Sequence, residues 1–261
     1  MRSEWLSEIW RFRELLYFLA WRDVKVRYKQ AILGVLWAVI QPLLTMIIFT
    51  LFFGRLARVP SDGIPYPLFA FCALVPWTYF AGTLSQAGNS LLTNSNLITK
   101  VYFPRVLLPT SAAVAGLLDF AVSAGFLGLM MIYYHMRPSW TLVMYPFFVF
   151  ATMILVVGVS MLLAALNVRF RDVKYVIPFL IQLWLFVTPI IYPASFVPKR
   201  FQAILALNPM SGIVEGFRAS LFPRQAFNLP LIGMSLAVTT FFFVIGAIVF
   251  RRTERTFADI I

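Results

Sequence analysis

Asp119 stands in the middle of a long apolar run, about Val106–Tyr133, and is the only charged residue in it. If that run crosses a membrane, an unpaired charge would be costly, so the carboxyl should be neutral, paired or facing an aqueous path. Two roles stay open for it. The carboxylate contacts a substrate or carries a coupling proton, or it is hydrogen-bonded to neighbouring helices.

Four basic residues directly precede the first long apolar run in the stretch WRDVKVRYKQAILGVLWAVIQP, namely Arg22, Lys25, Arg27 and Lys29. Positive side chains beside an apolar run orient a membrane span. They also attract anionic lipid headgroups. The set is therefore a candidate for binding a lipid phosphate or for docking a cytosolic partner, and a topology signal alone is the alternative. A cleaved secretory signal is excluded, because the apolar run is too long and begins too late.

Two predicted helices carry aromatic, amide and hydroxyl side chains at helical spacing on one face. The members are Trp37, Gln41 and Thr45 in the first run, and Tyr175, Phe179, Gln182 and Phe186 in the fifth. Aromatic rings stack on apolar sugar faces while polar groups exchange hydrogen bonds, so such faces could line a path for a sugar chain. The alternative is ordinary helix–helix packing with polar contacts.

No enzyme motif is present in the sequence. Cys72 and His135 are the only residues of their types, so one chain cannot assemble a disulfide or a Cys/His metal site. The five lysines are followed by Val, Gln, Val, Tyr and Arg, which excludes a phosphate-binding loop ending in Lys-Ser or Lys-Thr. We therefore expect no catalytic, cofactor-binding or metal-binding residues. If ATP drives this protein, a separate chain binds it.

The composition indicates the setting in which these residues act. Hydrophobic residues make up 61% of the 261 residues and charged residues 12%, with a mean hydropathy of +0.85. A water-soluble domain carries far fewer apolar residues. The net charge of +12 does not indicate nucleic-acid binding, because Lys and Arg cluster at the ends of the apolar runs. The chain is predicted to be an integral membrane protein.

Six apolar runs are long enough to cross a bilayer core about 30 Å thick. They are Ala31–Phe53, Tyr66–Gln86, Val106–Tyr133, Leu142–Leu166, Tyr175–Tyr192 and Leu229–Phe250. Continuous runs without two-residue alternation predict an all-α fold. Most of the 22 Lys and Arg residues fall on the side that holds both ends of the chain, so both termini should be cytoplasmic.

Three segments outside these runs do not resemble plain connections. Residues 1–30 begin with an amphipathic helix whose faces include Trp5, Glu8, Ile9 and Phe12, predicting either a docking element or a surface anchor. Residues 89–105 contain a short helix suited to another protein's groove, with a solvated turn as the alternative. Residues 193–228 contain two short amphipathic helices, which favour a re-entrant pair over a free loop. Glu215 and Arg218 are spaced to form an ion pair.

Five ordered motifs resemble one family. They are RDVKVRYKQAILGVLW, LVPWTYF, NSNLITKVYFPRVLLP, NVRFRDVKYVIPFLIQLWLFVTPIIY and NPMSGIVEGFR. Together they are similar to the membrane subunits of ATP-binding-cassette exporters for polysaccharides and polyol phosphates, which export O-antigen, capsule or teichoic acid chains. The likeness covers nearly the whole chain.

The resemblance implies roles for the three segments. Residues 4–19 would be an interface helix, and a coupling helix near residues 91–98 would contact the ATPase subunit. The coupling residues would be Asn94, Ser95, Asn96, Leu97, Ile98 and Tyr102. The outer pair would act as an exit gate, with Asn208, Pro209, Glu215 and Arg218 within it.

The resemblance also implies an assembly. A homodimer in the bacterial inner (plasma) membrane would bind two cytosolic ATPase subunits, which hold ATP and Mg²⁺. Residues 31–250 would form the transmembrane domain and residues 251–261 a cytoplasmic tail. A lipid-linked glycan would move outward along the first and fifth spans. The alternative is an ion-gradient-driven transporter or flippase that uses Asp119.

Overall fold

The computed structural model describes residues 10–29, 33–170, 172–223, 225–254 and 257. Regular structure within these ranges is helical throughout, which confirms the all-α expectation. The α-helices are α1 (Arg13–Tyr28), α2 (Trp37–Phe49), α3 (Tyr66–Thr93), α4 (Ser95–Lys100), α5 (Leu107–Tyr133), α6 (Tyr145–Arg169), α7 (Val173–Val187), α8 (Lys199–Leu207), α9 (Pro209–Leu221) and α10 (Leu229–Thr253). Short 3₁₀ turns lie at Gly34–Leu36, Trp140–Met144 and Ala194–Phe196, and a π-helical segment, Thr50–Leu56, extends α2.

Five helical stretches are long and apolar enough to cross a membrane. They are Gly34–Leu56, Tyr66–Thr93, Leu107–Tyr133, Trp140–Arg169 and Leu229–Thr253, each of 23 to 30 residues. They correspond to five of the six expected spans. Hydropathy predicts these helices because a single apolar run of bilayer length can satisfy its backbone hydrogen bonds only as a helix.

In the remaining expected span, Tyr175–Tyr192, the helix ends before the apolar run does. Helix α7 has 15 residues and ends at Val187. At about 1.5 Å per residue it is about 22 Å long, less than the hydrocarbon core. Thr188 adopts an extended conformation (φ −84°, ψ 138°), because Pro189 disfavours helical geometry in the residue before it.

Helix α3 forms the centre of the bundle. It packs along α5 on one side and α6 on another, and most of its residues are buried. Helices α6 and α10 approach at two glycines, where a Cβ on Gly246 would lie 2.1 Å from the Gly158 carbonyl oxygen. Small residues permit such close backbone contact between membrane helices.

Helix α9 is buried among the long helices. It packs against α3, α6 and α10, and twelve of its 13 residues are buried, Glu215 being the exception. A Cβ on Gly216 would lie 2.0 Å from Cε1 of Phe148, so only glycine fits there. The preceding helix α8 exposes Phe201, Ile204 and Leu207. The two short helices expected within residues 193–228 are therefore present.

Helix α1 extends through the basic flank instead of ending near Leu19. Its Leu19 and Ala20 are buried, and it packs along α5. Phe12 lies just before the helix and packs against the core. The other expected members of the interface helix, Trp5, Glu8 and Ile9, lie outside the described residues. Its role as an interface helix stays a prediction.

Candidate functional site: a polar pocket between the spans

Asp119 is paired by the C-terminal end of α1. Its Oδ2 accepts a hydrogen bond from Arg27 Nη1, and its Oδ1 accepts one from the hydroxyl of Tyr28. Arg27 Nη2 donates to Oε1 of Gln86 on α3. The Arg27 guanidinium thus joins α1 to both α5 and α3, and it balances the charge of the Asp119 carboxylate. Of the three expected states, neutral, paired or facing an aqueous path, the structure shows pairing.

This cluster forms part of a polar pocket of about 290 Å³ between α1, α2, α3 and α5. The lining comprises Arg27, Tyr28, Gly34, Trp37, Ala38, Gln41, Pro42, Thr78, Tyr79, Gly82, Thr83, Gln86, Gly116, Asp119, Phe120 and Ser123. Gly116 lets α3 and α5 approach, since a Cβ there would lie 2.5 Å from Thr83 Oγ1. The Ser123 hydroxyl donates to the Ala38 carbonyl at 2.7 Å and so joins α5 to α2.

The four basic residues of the flank have different environments. Arg22 forms an ion pair with Asp23 at 2.8 Å, and Arg27 pairs with Asp119. Lys25 and Lys29 are exposed and make no ion pair within the described ranges, although Lys25 Nζ lies 5.6 Å from the Trp21 ring centroid. Only the two lysines therefore keep an unbalanced charge at the surface.

The expected sugar-path residues fall into two groups. Trp37 and Gln41 line the pocket with Asp119, whereas Thr45 lies outside its lining and donates to the Gln41 carbonyl at 3.0 Å. The α7 members form a separate exposed face, with Tyr175 72%, Phe179 60% and Phe186 56% exposed and Gln182 exposed beside them. The structure therefore does not bring the α7 face into the pocket.

The expected coupling segment is a short helix bounded by Asn94. Asn94 ends α3 and precedes α4, and its Nδ2 donates to the Ser90 carbonyl at 2.8 Å. Ile98 faces the core of its own chain and is 5% exposed, while Asn96 and Tyr102 are exposed, Tyr102 to 85%. Ser95 and Leu97 are half-buried. The surface offered to a partner is therefore polar and aromatic.

Two clusters attach α9 to the end of α7. Asn208, before α9, accepts from Trp184 Nε1 at 2.8 Å and donates to the Thr188 hydroxyl at 3.0 Å. Pro209 follows Asn208 as the first residue of α9. Arg218 donates to the Pro189 carbonyl at 2.7 Å, and these contacts hold the short helix against the turn that follows α7.

The predicted Glu215–Arg218 pair is observed at 2.9 Å. Arg218 is 1% exposed, and its guanidinium carbon lies 3.5 Å from the Phe69 ring centroid. Nearby, the Tyr192 hydroxyl lies 3.3 Å from the Val187 carbonyl, to which it donates at the end of α7.

Sequence reasoning missed several members of these clusters. Tyr28 and Gln86 complete the Asp119 site, and Trp184 and Thr188 complete the Asn208 site. Local spacing gave no signal for the first two, because Tyr28 is 91 residues from Asp119. Trp184 and Thr188 are four residues apart at the end of α7, a spacing that could have pointed to a shared contact.

The fold and the pocket together define a multi-span helical membrane protein with a polar site between its spans. The ABC-2 type transporter family matches residues 14–222. The chain therefore belongs to the ABC-2 type transporter family.

Individual relatives match along nearly their whole length. The chain is 31% identical over 258 residues to the O-antigen export system permease protein RfbA of Myxococcus xanthus, covering 97% of this chain and 98% of that protein. It is also 31% identical over 249 residues to a protein of the same name from Klebsiella pneumoniae, with 95% of each chain covered. The polysialic acid transport protein KpsM of Escherichia coli is 24% identical over 239 residues, 89% of this chain and 91% of that one.

Proposed function

We propose that this chain is the transmembrane subunit of an ATP-driven exporter that moves a lipid-linked polysaccharide outward across the bacterial inner membrane. The observation that carries the proposal is the likeness, over 97% of the chain, to a relative named as an O-antigen export permease. The cargo is of the O-antigen, capsular or teichoic acid type. The chain itself catalyses no reaction.

The energy source is a separate subunit. The sequence contains no phosphate-binding loop, so ATP and Mg²⁺ bind a cytosolic ATPase partner, of which two copies serve a homodimer of this chain. The exposed Asn96 and Tyr102 support a contact between the second loop and that partner. The interface helix near the N-terminus makes a second contact. Both transmit closure of the ATPase pair into tilting of the spans.

The membrane arrangement has six crossings per chain, with both termini cytoplasmic. Helix α7 makes the fifth crossing together with the segment that follows it, and the short helices α8 and α9 form a re-entrant gate on the outer side. The burial of α9 among α3, α6 and α10 supports re-entry, because a short polar helix inside a membrane must be enclosed by protein.

The glycan path runs along α2 and α7 between the two copies. The exposed aromatic and amide face of α7 supports this route, since Phe179 and Phe186 are 60% and 56% exposed. The second candidate, an ion-gradient-driven transporter, requires Asp119 to exchange a proton. Its pairing with Arg27 favours a structural role over that exchange.

One purification from the native host tests the assembly. The tagged chain is isolated in mild detergent, and accompanying proteins and glycolipids are identified by mass spectrometry. An ATPase subunit at an equal ratio, two copies of each, supports the proposal. A chain that is active without a partner, under conditions that preserve complexes, contradicts it.

A matched pair of substitutions tests the coupling contact. Tyr102→Ala should abolish export while ATP hydrolysis by the purified complex continues, because the exposed ring makes no packing contribution to the membrane fold. Tyr133→Ala is the control, since Tyr133 is 78% exposed at the other end of α5. Full export by Tyr102→Ala cells would argue against the coupling role.

A further inference from the structure

The pocket between α1, α2, α3 and α5 has no net charge. Arg27 and Asp119 are the only charged residues in its described lining, and they form an ion pair with each other. Both terminal nitrogens of Arg27 are occupied, one by the Asp119 carboxylate and one by the Gln86 amide oxygen. A phosphate ligand is favoured by an excess of positive charge, which this lining lacks. The pocket therefore does not fit a phosphate.

Several polar groups of the lining lack partners within the described part of the chain. No hydrogen bond involves the side-chain amide of Gln41, the hydroxyl of Thr83 or the amide nitrogen of Gln86. Arg27 Nε is buried without a partner. Gln41 and Gln86 are exposed and Thr83 is buried, so both amides are accessible to a ligand that enters the pocket. The pocket presents amide and hydroxyl groups, which suit an uncharged ligand rich in hydroxyls.

Aromatic rings surround these polar groups. Trp37 from α2, Tyr79 from α3 and Phe120 from α5 all line the pocket. A lining that holds both aromatic rings and amides matches the two kinds of surface on a sugar, the apolar C–H face and the hydroxyl edge. A volume of about 290 Å³ is at the lower end of the range for small-ligand sites, about 300–1,000 Å³, and excludes a polymer.

We propose that this pocket binds one uncharged sugar unit of the glycan, beside the main path and not within it. This inference rests on the proposed polysaccharide export and adds a specific saccharide site. Gln41, Thr83 and Gln86 exchange hydrogen bonds with the sugar hydroxyls, and Trp37 stacks on the ring. The Arg27–Asp119 pair is a positioning element, because it fixes α1 against α5 and holds Gln86 in place.

Photo-crosslinking in the native host tests the proposal with the cargo that the cell supplies. Benzoylphenylalanine replaces Trp37 in the pocket or Phe179 on the α7 face, both exposed aromatic positions. After illumination, the purified chain is examined for bound glycan by a carbohydrate stain. Mild acid then cleaves the bond between the first sugar and the lipid phosphate. An adduct on a sugar keeps its glycan, whereas an adduct on the lipid loses it.

Two glycine substitutions give a matched comparison. A Cβ on Gly82, which lines the pocket, meets no atom within 4 Å, and the same is true of Gly125 on α5, which does not line it. Gly82→Leu therefore adds bulk at the pocket lining from a Cβ that meets no atom, and Gly125→Leu adds the same bulk elsewhere. We expect Gly82→Leu to reduce acid-stable capture at position 37 about tenfold, the equivalent of one or two lost hydrogen bonds. Gly125→Leu should leave that capture unchanged.

The outcomes separate this inference from the proposed function. Acid-stable glycan at position 37 that Gly82→Leu diminishes supports the saccharide site. Three results overturn the site while export stands. They are capture at position 179 without capture at 37, capture at 37 that Gly82→Leu does not change, and glycan at 37 that acid releases. No capture at either position, with surface polysaccharide unchanged after deletion of the chain, refutes the proposed export.

Discussion

The Arg218 guanidinium donates three hydrogen bonds and offers a sharp test of how α9 is held. Its Nη1 contacts the Pro189 carbonyl at 2.7 Å and Glu215 Oε1 at 2.9 Å, and its Nη2 contacts the Ile190 carbonyl at 3.0 Å. The guanidinium also stacks on the Phe69 ring. Arg218→Ala removes all of these contacts and leaves Glu215 without its partner.

The magnitude follows from the burial of the pair. Removing one member of a buried ion pair costs about 3–5 kcal/mol, because the remaining charge is uncompensated. For a chain of this size, about 2–4 °C per kcal/mol converts that loss into a Tm lower by roughly 6–20 °C. Arg218→Lys keeps the charge but cannot reach three oxygens at once, so its Tm should fall between those of Arg218→Ala and the native chain.

Thermal unfolding of the purified complex in detergent measures these values. Arg200→Ala is the matched control, because Arg200 is exposed on α8 and lies only against the Phe201 ring at 4.7 Å. Its loss should change the free energy of unfolding by less than about 1 kcal/mol. Equal melting temperatures for the Arg218 and Arg200 variants would refute the conclusion that Arg218 holds α9 against the turn after α7.

Two further predictions concern packing and the Asp119 cluster. Gly216→Ala should lower the Tm by an amount equivalent to about 1–3 kcal/mol or abolish folding, since its Cβ overlaps Phe148. Gly233→Ala, on an open face of α10, should leave thermal unfolding unchanged or raise the Tm slightly. Asp119→Asn should destabilise the chain by about 3 kcal/mol because Arg27 loses its counter-ion, and adding Arg27→Gln should restore part of that loss. Strict additivity in this double-mutant cycle would contradict the pairing.

Hydropathy was sufficient to predict most of the fold, because a membrane span depends on a local property of the sequence. The limit was the fifth run, where Ile190 and Ile191 continue the apolar composition after the helix has ended. Helix α7 ends because Pro189 disfavours helical geometry at Thr188. An average of hydropathy over the run does not detect this effect. The number of crossings therefore depends on the segment after α7.

The candidate site was only partly predictable for a different reason. The sequence identified Asp119 as a buried charge that needs a partner, and it identified Arg27 as one of four basic residues, but it did not join them. They are 92 residues apart and on separate helices, so their contact depends on how α1 packs along α5. Trp37 and Gln41 were predicted as path residues from the face that they share, yet the same packing places them in the pocket.

The pairing of Arg27 with Asp119 also changes which residues of the basic flank can bind anionic groups. A count of positive charges treats its four members alike as an orientation signal for the first span. In the folded chain, two of these charges are balanced by Asp23 and Asp119, so only Lys25 and Lys29 retain a charge that a lipid phosphate or a partner can meet. The exposed lysines therefore suit recognition of anionic groups at the surface, while Arg27 and Asp119 maintain a neutral pocket inside the membrane domain. Under the proposed export, this separation would let the lysines meet an anionic lipid carrier at the surface while the pocket holds an uncharged sugar.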